Sequence, residues 1–165
     1  MIRNPQELIE RFVLAANRAL DCDLTVADIS HDSWQAPHTA KDLKPMHGAV
    51  YVFTLSGTSK AEAQPGRALK VGKAGPNSNA RFRYQHYKSG SAMSTLAGSI
   101  ENNPLLWSYI GYCESSQDVG EWIRKNTDRD NFYIHENKRE YIGLLEVYIK
   151  ANLGPVFEGT LSSKA

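Results

Sequence analysis

Apolar residues recur at helical spacing near the start of the chain: Leu8, Ile9, Phe12, Val13, Ala16, Ala19 and Leu20 share one side. The stripe predicts an amphipathic helix over 4–20, capped by Asn4, with Pro5 in its first turn and Glu7 completing a capping pattern. Residues 21–47 are mixed and polar, carry Pro37 and Pro45, and read as an irregular connection. The run AVYVFTL at 49–55 is β-branched and aromatic and too short for a stable helix, so it predicts a strand. A polar loop with Pro65 and Gly66 leads to a second strand at 67–72, RALKVG, completing a long hairpin.

Asn77, Ser78 or Asn79 can cap a helix covering about 79–88, and Ser91 can start another that reaches Ile100. LLWSYIGYC at 105–113 alternates well enough to predict a third, central strand. Residues 117–126 read as helix and NFYI at 131–134 as a short extra strand. In 137–152 the apolar positions Tyr141, Leu144, Leu145, Tyr148 and Ile149 again fall on one side of a helix, stopped by Gly154-Pro155. The expected class is α+β: a small three-stranded antiparallel sheet flanked by helices, with an N-terminal helix. Residues 1–46 would pack on a core domain formed by 47–165.

Composition changes this little. With 165 residues, 41% hydrophobic, the chain suits one domain with its own core. Cys22 and Cys113 stand apart without a CxxC or His-rich companion, which points to reduced, part-buried thiols rather than a disulfide or zinc site. No apolar run approaches membrane-spanning length and the charged start is unlike a signal peptide, so a cytoplasmic protein without membrane contact is expected.

Charge is more telling in its distribution than in its sum of +1. From Ala63 to Ile100 there is no Asp or Glu, while Arg67, Lys70, Lys73, Arg81, Arg83 and Lys88 all lie in that stretch. Such a surface suits a phosphate backbone. It equally suits a solvated basic face balanced by acids elsewhere.

The order of elements brings a family into view. Ala49-Val50-Tyr51 and Lys70-Val71-Gly72 on the hairpin, Arg81 in NARFRYQHY and Glu146 in LLEVYIKANLGP resemble the motifs of the GIY-YIG nucleases. The resemblance spans roughly residues 47–158 and is nearest to the restriction-endonuclease-like bacterial members, on KVGKAG, RFRYQHY and PVFEG. It implies a metal-dependent DNA endonuclease with Tyr51, Lys70, Arg81, His86 and Glu146 at its site. Lys73, Arg83 and Lys88 would touch nucleic acid, and Glu146 would hold one Mg²⁺ or Mn²⁺ ion. A double-strand cutter with one site per chain would act as a homodimer or nick twice.

The residue types suit this chemistry. Tyr51 can take or relay a proton from the attacking water, given neighbouring cations such as Lys70 and Lys73 to favour its phenolate. Arg81 offers a fork for phosphate oxygens, and Glu146 an oxygen ligand for a hard cation. His86 can donate to a phosphate oxygen or assist the proton. The plainer alternatives are packing for Tyr51, solvated helix positions for Arg81 and Arg83, and a satisfied surface histidine for His86. Glu146, at the edge of an apolar stripe, would be half-buried and needs a partner, a metal or an arginine.

Three departures from the family pattern stand out: Ala49 (or Gly48) for the leading glycine, Lys70 for a tyrosine, and Glu158 where an asparagine is usual. The Lys70 and Glu158 changes leave open a catalytically impaired nucleic-acid-binding module on the same fold.

Overall fold

The computed structural model describes residues 1–92, 94–114 and 118–157. Four strands, β1 (Ile29–Trp34), β2 (His47–Leu55), β3 (Ala68–Ala74) and β4 (Thr127–His135), form one antiparallel sheet in the order β1-β4-β2-β3. Six helices accompany it among the described residues: α1 (Pro5–Leu20), α2 (Asn79–Arg83), α3 (Leu96–Glu101), α4 (Trp107–Ile110), α5 (Val119–Asn126) and α6 (Tyr141–Leu153). The α+β class is as expected. The sheet has one strand more than the sequence suggested.

Two apolar clusters cover its two faces. On one, Ile9, Phe12 and Val13 of α1 and Ile142, Leu145 and Ile149 of α6 meet Val50, Val52, Phe132 and Ile134. On the other, Phe82, Ile100, Ile110, Trp122 and Ile123 from α2 to α5 meet Tyr51, Phe53 and Tyr133. Strand β2 lies between β4 and β3 with both faces covered, which is why it reads as a continuous apolar run. Gly48 lets α6 approach it: a Cβ there would lie 2.2 Å from Ile142 Cδ1. The α1 cap forms as expected, Asn4 accepting from the Glu7 backbone at 3.2 Å, with Pro5 opening the first turn.

Three expectations about the strands are corrected. Residues 105–113 hold no strand; Pro104 opens a 3₁₀ turn that runs into α4, and Gly111 ends it at φ 76°. An apolar run this short fits either period. NFYI is not a minor extra strand but part of β4, which pairs with both β1 and β2. The polar residues of TDRDN hid it, because their burial is offset by hydrogen bonds that no periodicity reports. Finally, the connection 21–47 contains β1, all six residues of which pair with β4, so β1 belongs to the same sheet as the hairpin.

The expected helix over 79–88 is divided. After α2 the chain turns at Tyr84 into a 3₁₀ turn, Gln85–Tyr87, which carries His86 and Tyr87 inward. Helix α3 starts at Leu96 rather than near Ser91, with the Thr95 hydroxyl accepting from Gly98 N at 3.1 Å. Cys22 is half-buried, whereas Cys113 is exposed rather than part-buried. No helix among the described residues is long and apolar enough to cross a membrane.

Candidate active site at the edge strand

Strand β3 is a sheet edge, so groups from both faces can meet around it. Tyr51 of β2 stands opposite Gly72 of β3 and its ring runs across that glycine. A Cβ at Gly72 would lie 2.7 Å from Tyr51 Cε2 and 2.9 Å from its hydroxyl oxygen. Only a residue without a side chain lets the phenol reach the edge.

Lys73, the next residue, joins the two sides. Its backbone carbonyl accepts from Tyr51 Oη and from Arg81 Nε, each at 3.2 Å. Its ammonium points the other way, 3.0 Å from Glu146 Oε2 on α6. The second Glu146 oxygen accepts from Lys150 Nζ at 2.9 Å, one helical turn on.

The Tyr51 hydroxyl also bonds His86 Nε2 at 2.7 Å. Two contacts fix which atom gives the proton. His86 Nδ1 accepts the Leu96 backbone N–H at 3.1 Å, so the ring hydrogen of neutral His86 sits on Nε2. Tyr51 spends its own hydrogen on the Lys73 carbonyl, which can only accept. His86 therefore donates to Tyr51. Burial, reinforced by the charges of Arg129, Arg81 and Lys70, holds the imidazole pKa well below the ordinary histidine value. Burial raises the Tyr51 pKa above that of a free phenol, and the opposing charges of Arg81 and Arg129 do not reverse it. At rest the pair is a neutral phenol and a neutral imidazole.

Lys70 lies elsewhere than expected. It is 3% exposed, and its ammonium donates to Ser99 Oγ at 3.0 Å and Ser94 Oγ at 3.2 Å rather than to Tyr51. Burial, with the charges of Lys150 and Arg81, brings its pKa down to about 8. Burial pushes the Glu146 carboxyl upward, but the bonds from Lys150 and Lys73 outweigh this and leave it below the ordinary value.

No family model, curated protein or solved structure matches the chain. The site's character therefore rests on its own chemistry. Among the described residues it sets Lys73 and Lys150 on the Glu146 carboxylate and Arg81 on the Lys73 carbonyl, beside a hydrogen-bonded Tyr–His pair, and this excess of cation invites an anion. A cleft of about 360 Å³ opens beside Lys73, lined also by Gly75, Pro76, Arg139, Ile142 and Gly143.

Of the residues expected at the site, Tyr51, Arg81, His86, Lys73 and Glu146 come together. Lys70 adds its charge but no contact with Tyr51. His86 is fully buried with both nitrogens engaged, so it is the partner of Tyr51 and does not face a phosphate. Arg83 turns away into an ion pair with Asp42 at 3.0 Å, and Lys88 is exposed further along the chain. Glu158 lies outside the described residues. Lys150 and Arg129 were missed: spacing from Glu146 could have signalled the first, and nothing in the sequence signals the second.

No group of three or more His, Cys, Asp and Glu side chains suited to a metal occurs among the described residues. The one carboxylate, Glu146, fits a hard cation that takes one protein oxygen and completes its shell with water and phosphate oxygens. Lys73 or Lys150 would have to yield a Glu146 oxygen to it.

Proposed function

We propose that the chain is a metal-dependent endonuclease of the GIY-YIG type acting on DNA phosphodiesters. The observation that supports this best is the convergence at Lys73: Tyr51 and Arg81 on its carbonyl, Glu146 on its ammonium, and His86 donating to Tyr51. Arg81 is half-exposed and shares the Lys73 carbonyl with the buried Tyr51 hydroxyl. Transferring its fork from the Lys73 carbonyl to a scissile phosphate would uncover that hydroxyl for the attacking water. Once uncovered, Tyr51 would first release its hydroxyl proton to solvent, the phenolate being held by the His86 Nε2–H and by Arg81; it would then take the proton of the attacking water and return to the phenol. Lys73 and Lys150, on releasing Glu146, would bind phosphate oxygens, leaving the carboxylate to hold Mg²⁺ or Mn²⁺. Such an ion would polarise the phosphate and stabilise the departing oxygen. Cutting both strands would take two copies of the chain or two successive nicks.

A second reading, a nucleic-acid-binding module without catalysis, is favoured by one feature. Both Glu146 oxygens are bound by lysines and Tyr51 is fully buried, which describes a stable resting cluster as well as a catalyst. Supercoiled plasmid incubated with the protein in Mg²⁺ or in EDTA, beside Glu146→Ala, separates the two. Metal-dependent nicking that the variant loses supports the endonuclease; binding with intact plasmid under every condition supports the module.

A further inference from the structure

Arg129, near the start of β4, is fully buried, and no carboxylate among the described residues pairs with it. Its guanidinium sits among four rings, 4.3 Å from the centre of Phe82, 4.5 Å from Trp34, 4.6 Å from Tyr51 and 5.1 Å from Phe53. Nε donates to Asn131 Oδ1 at 2.8 Å, and Asn131 Nδ2 in turn donates to Asp32 Oδ1 at 3.0 Å. Nη1 donates to Tyr87 Oη at 3.2 Å, while Nη2 is buried without an acceptor among the described residues. A buried cation with an unfilled donor is costly, and aromatic faces offset only part of that cost. The fold keeps it nonetheless.

Its contacts fall on both members of the Tyr51–His86 pair. The cation lies over the Tyr51 ring. The Tyr87 hydroxyl fastens the short turn that presents His86, and that hydroxyl is tied further, 2.9 Å from His38 Nε2. His38 Nδ1 donates to the Thr127 carbonyl at 2.9 Å, so its Nε2 accepts from Tyr87, and Tyr87 is left to accept from Arg129.

We propose that Arg129 is a positioning residue for the Tyr51–His86 pair, holding the phenol ring and the histidine-bearing turn at once. The proposal rests on the reading of the site given above. Electrostatics act in the same sense. Burial and the Arg129 charge lower the His38 pKa to about 4, against the Thr127 carbonyl and Asp128. His86 faces Arg129 from β4, Arg81 from α2, Lys70 from β3 and the Tyr51 hydroxyl from β2, with no acid among these. Burial, with the Arg129 charge added to it, keeps the imidazole an uncharged donor, the form that can support a phenolate without giving up its own proton.

The test follows the His86 ring nitrogens by NMR, assigned with His86→Gln, in the parent, in Arg129→Met and in Tyr87→Phe, alongside plasmid nicking. In the parent, Nε2 is expected to carry the hydrogen and the ring to stay neutral where a free imidazole ionises. In Arg129→Met the His86 midpoint should move toward the ordinary value. Its nicking rate should fall roughly 10- to 100-fold, the scale of a misplaced reacting group, with DNA affinity within about twofold. Tyr87→Phe keeps the cation and removes only the fastening. It should shift the His86 nitrogen signals and slow nicking, and it decides the matter if Arg129→Met does not fold. Unchanged His86 signals in a folded variant overturn the proposal, even where the parent nicks. A parent that never nicks, with His86 responding as described, overturns the endonuclease reading and leaves the positioning role standing.

Discussion

Lys70 offers a way to measure what the site costs the fold. Its pKa of about 8 stands against an ordinary 10.5, so the folded protein disfavours the charged form. At 1.36 kcal/mol per unit this amounts to roughly 3 kcal/mol of destabilisation wherever the ammonium is charged. Lys70→Met keeps much of the shape and removes the charge. Against the gain stand the lost bonds to Ser94 and Ser99, together worth about 1 kcal/mol because Ser99 keeps its bond to the Thr95 carbonyl. Lys70→Met should therefore be more stable than the parent at pH 7 by about 1–2 kcal/mol, a rise in urea midpoint of roughly 0.5–1 M. The folded pKa lies below the unfolded one, so the penalty is complete below about pH 8 and fades as the pH climbs to 10.5. The variant's advantage should disappear over that interval, while other groups titrate in both proteins and cancel in the difference. The stabilised protein should also nick more slowly, having lost a cation beside the site. A variant less stable than the parent at pH 7, or an advantage that does not change between pH 8 and 10.5, would refute the reasoning.

Gly72→Ala sets a methyl against the Tyr51 ring and should cost about 2 kcal/mol of stability while breaking the bond to His86, read by denaturation and by the His86 nitrogen signals. Glu146→Gln should lose roughly 1 kcal/mol at neutral pH, a modest figure because Lys73 and Lys150 remain partly hydrated. The Glu146 pKa is depressed by folding, so its contribution is present above the ordinary value of 4.5 and is lost as the pH falls through the folded one; urea midpoints of parent and variant should converge in acid. Arg81→Ala should reduce the slope of log affinity for DNA against log salt by about 1, as expected for one phosphate contact.

What the sequence disclosed followed the hydrophobic pattern. Helices α1 and α6 and strands β2 and β3 bury apolar residues at regular spacing, and the residues they carry, Tyr51, Lys73 and Glu146, came with them. Arg81 sits on a helix that begins where its Asn and Ser residues suggested, although the Ser78 side chain makes no cap bond and Asn79 turns instead to Leu43 and Asp42. His86 was harder to place, because the break at Tyr84 that turns it inward depends on packing against Tyr51 and on the Leu96 backbone. Strands β1 and β4 were hidden for a related reason. Their buried positions include Arg129, Asp130 and Asn131, polar groups acceptable there only because Asp32, His31, Ser33 and Tyr87 supply partners from distant parts of the chain. The separation of Lys70 from Tyr51 belongs to the same class: one β3 register places it opposite Phe53, where two serines from around α3 receive it.

The most direct measurement is the Mg²⁺-dependent nicking rate of supercoiled plasmid by the parent and by Tyr51→Phe, with DNA affinity measured for both. Removing one hydroxyl takes away the proton acceptor and leaves the cationic surface intact. Nicking by the parent should fall by about 100-fold or more in the variant, within the range for loss of a general base, while affinity changes no more than about twofold. Equal rates for the two proteins, or a parent that binds plasmid and leaves it uncut, would contradict a hydrolytic site built on Tyr51.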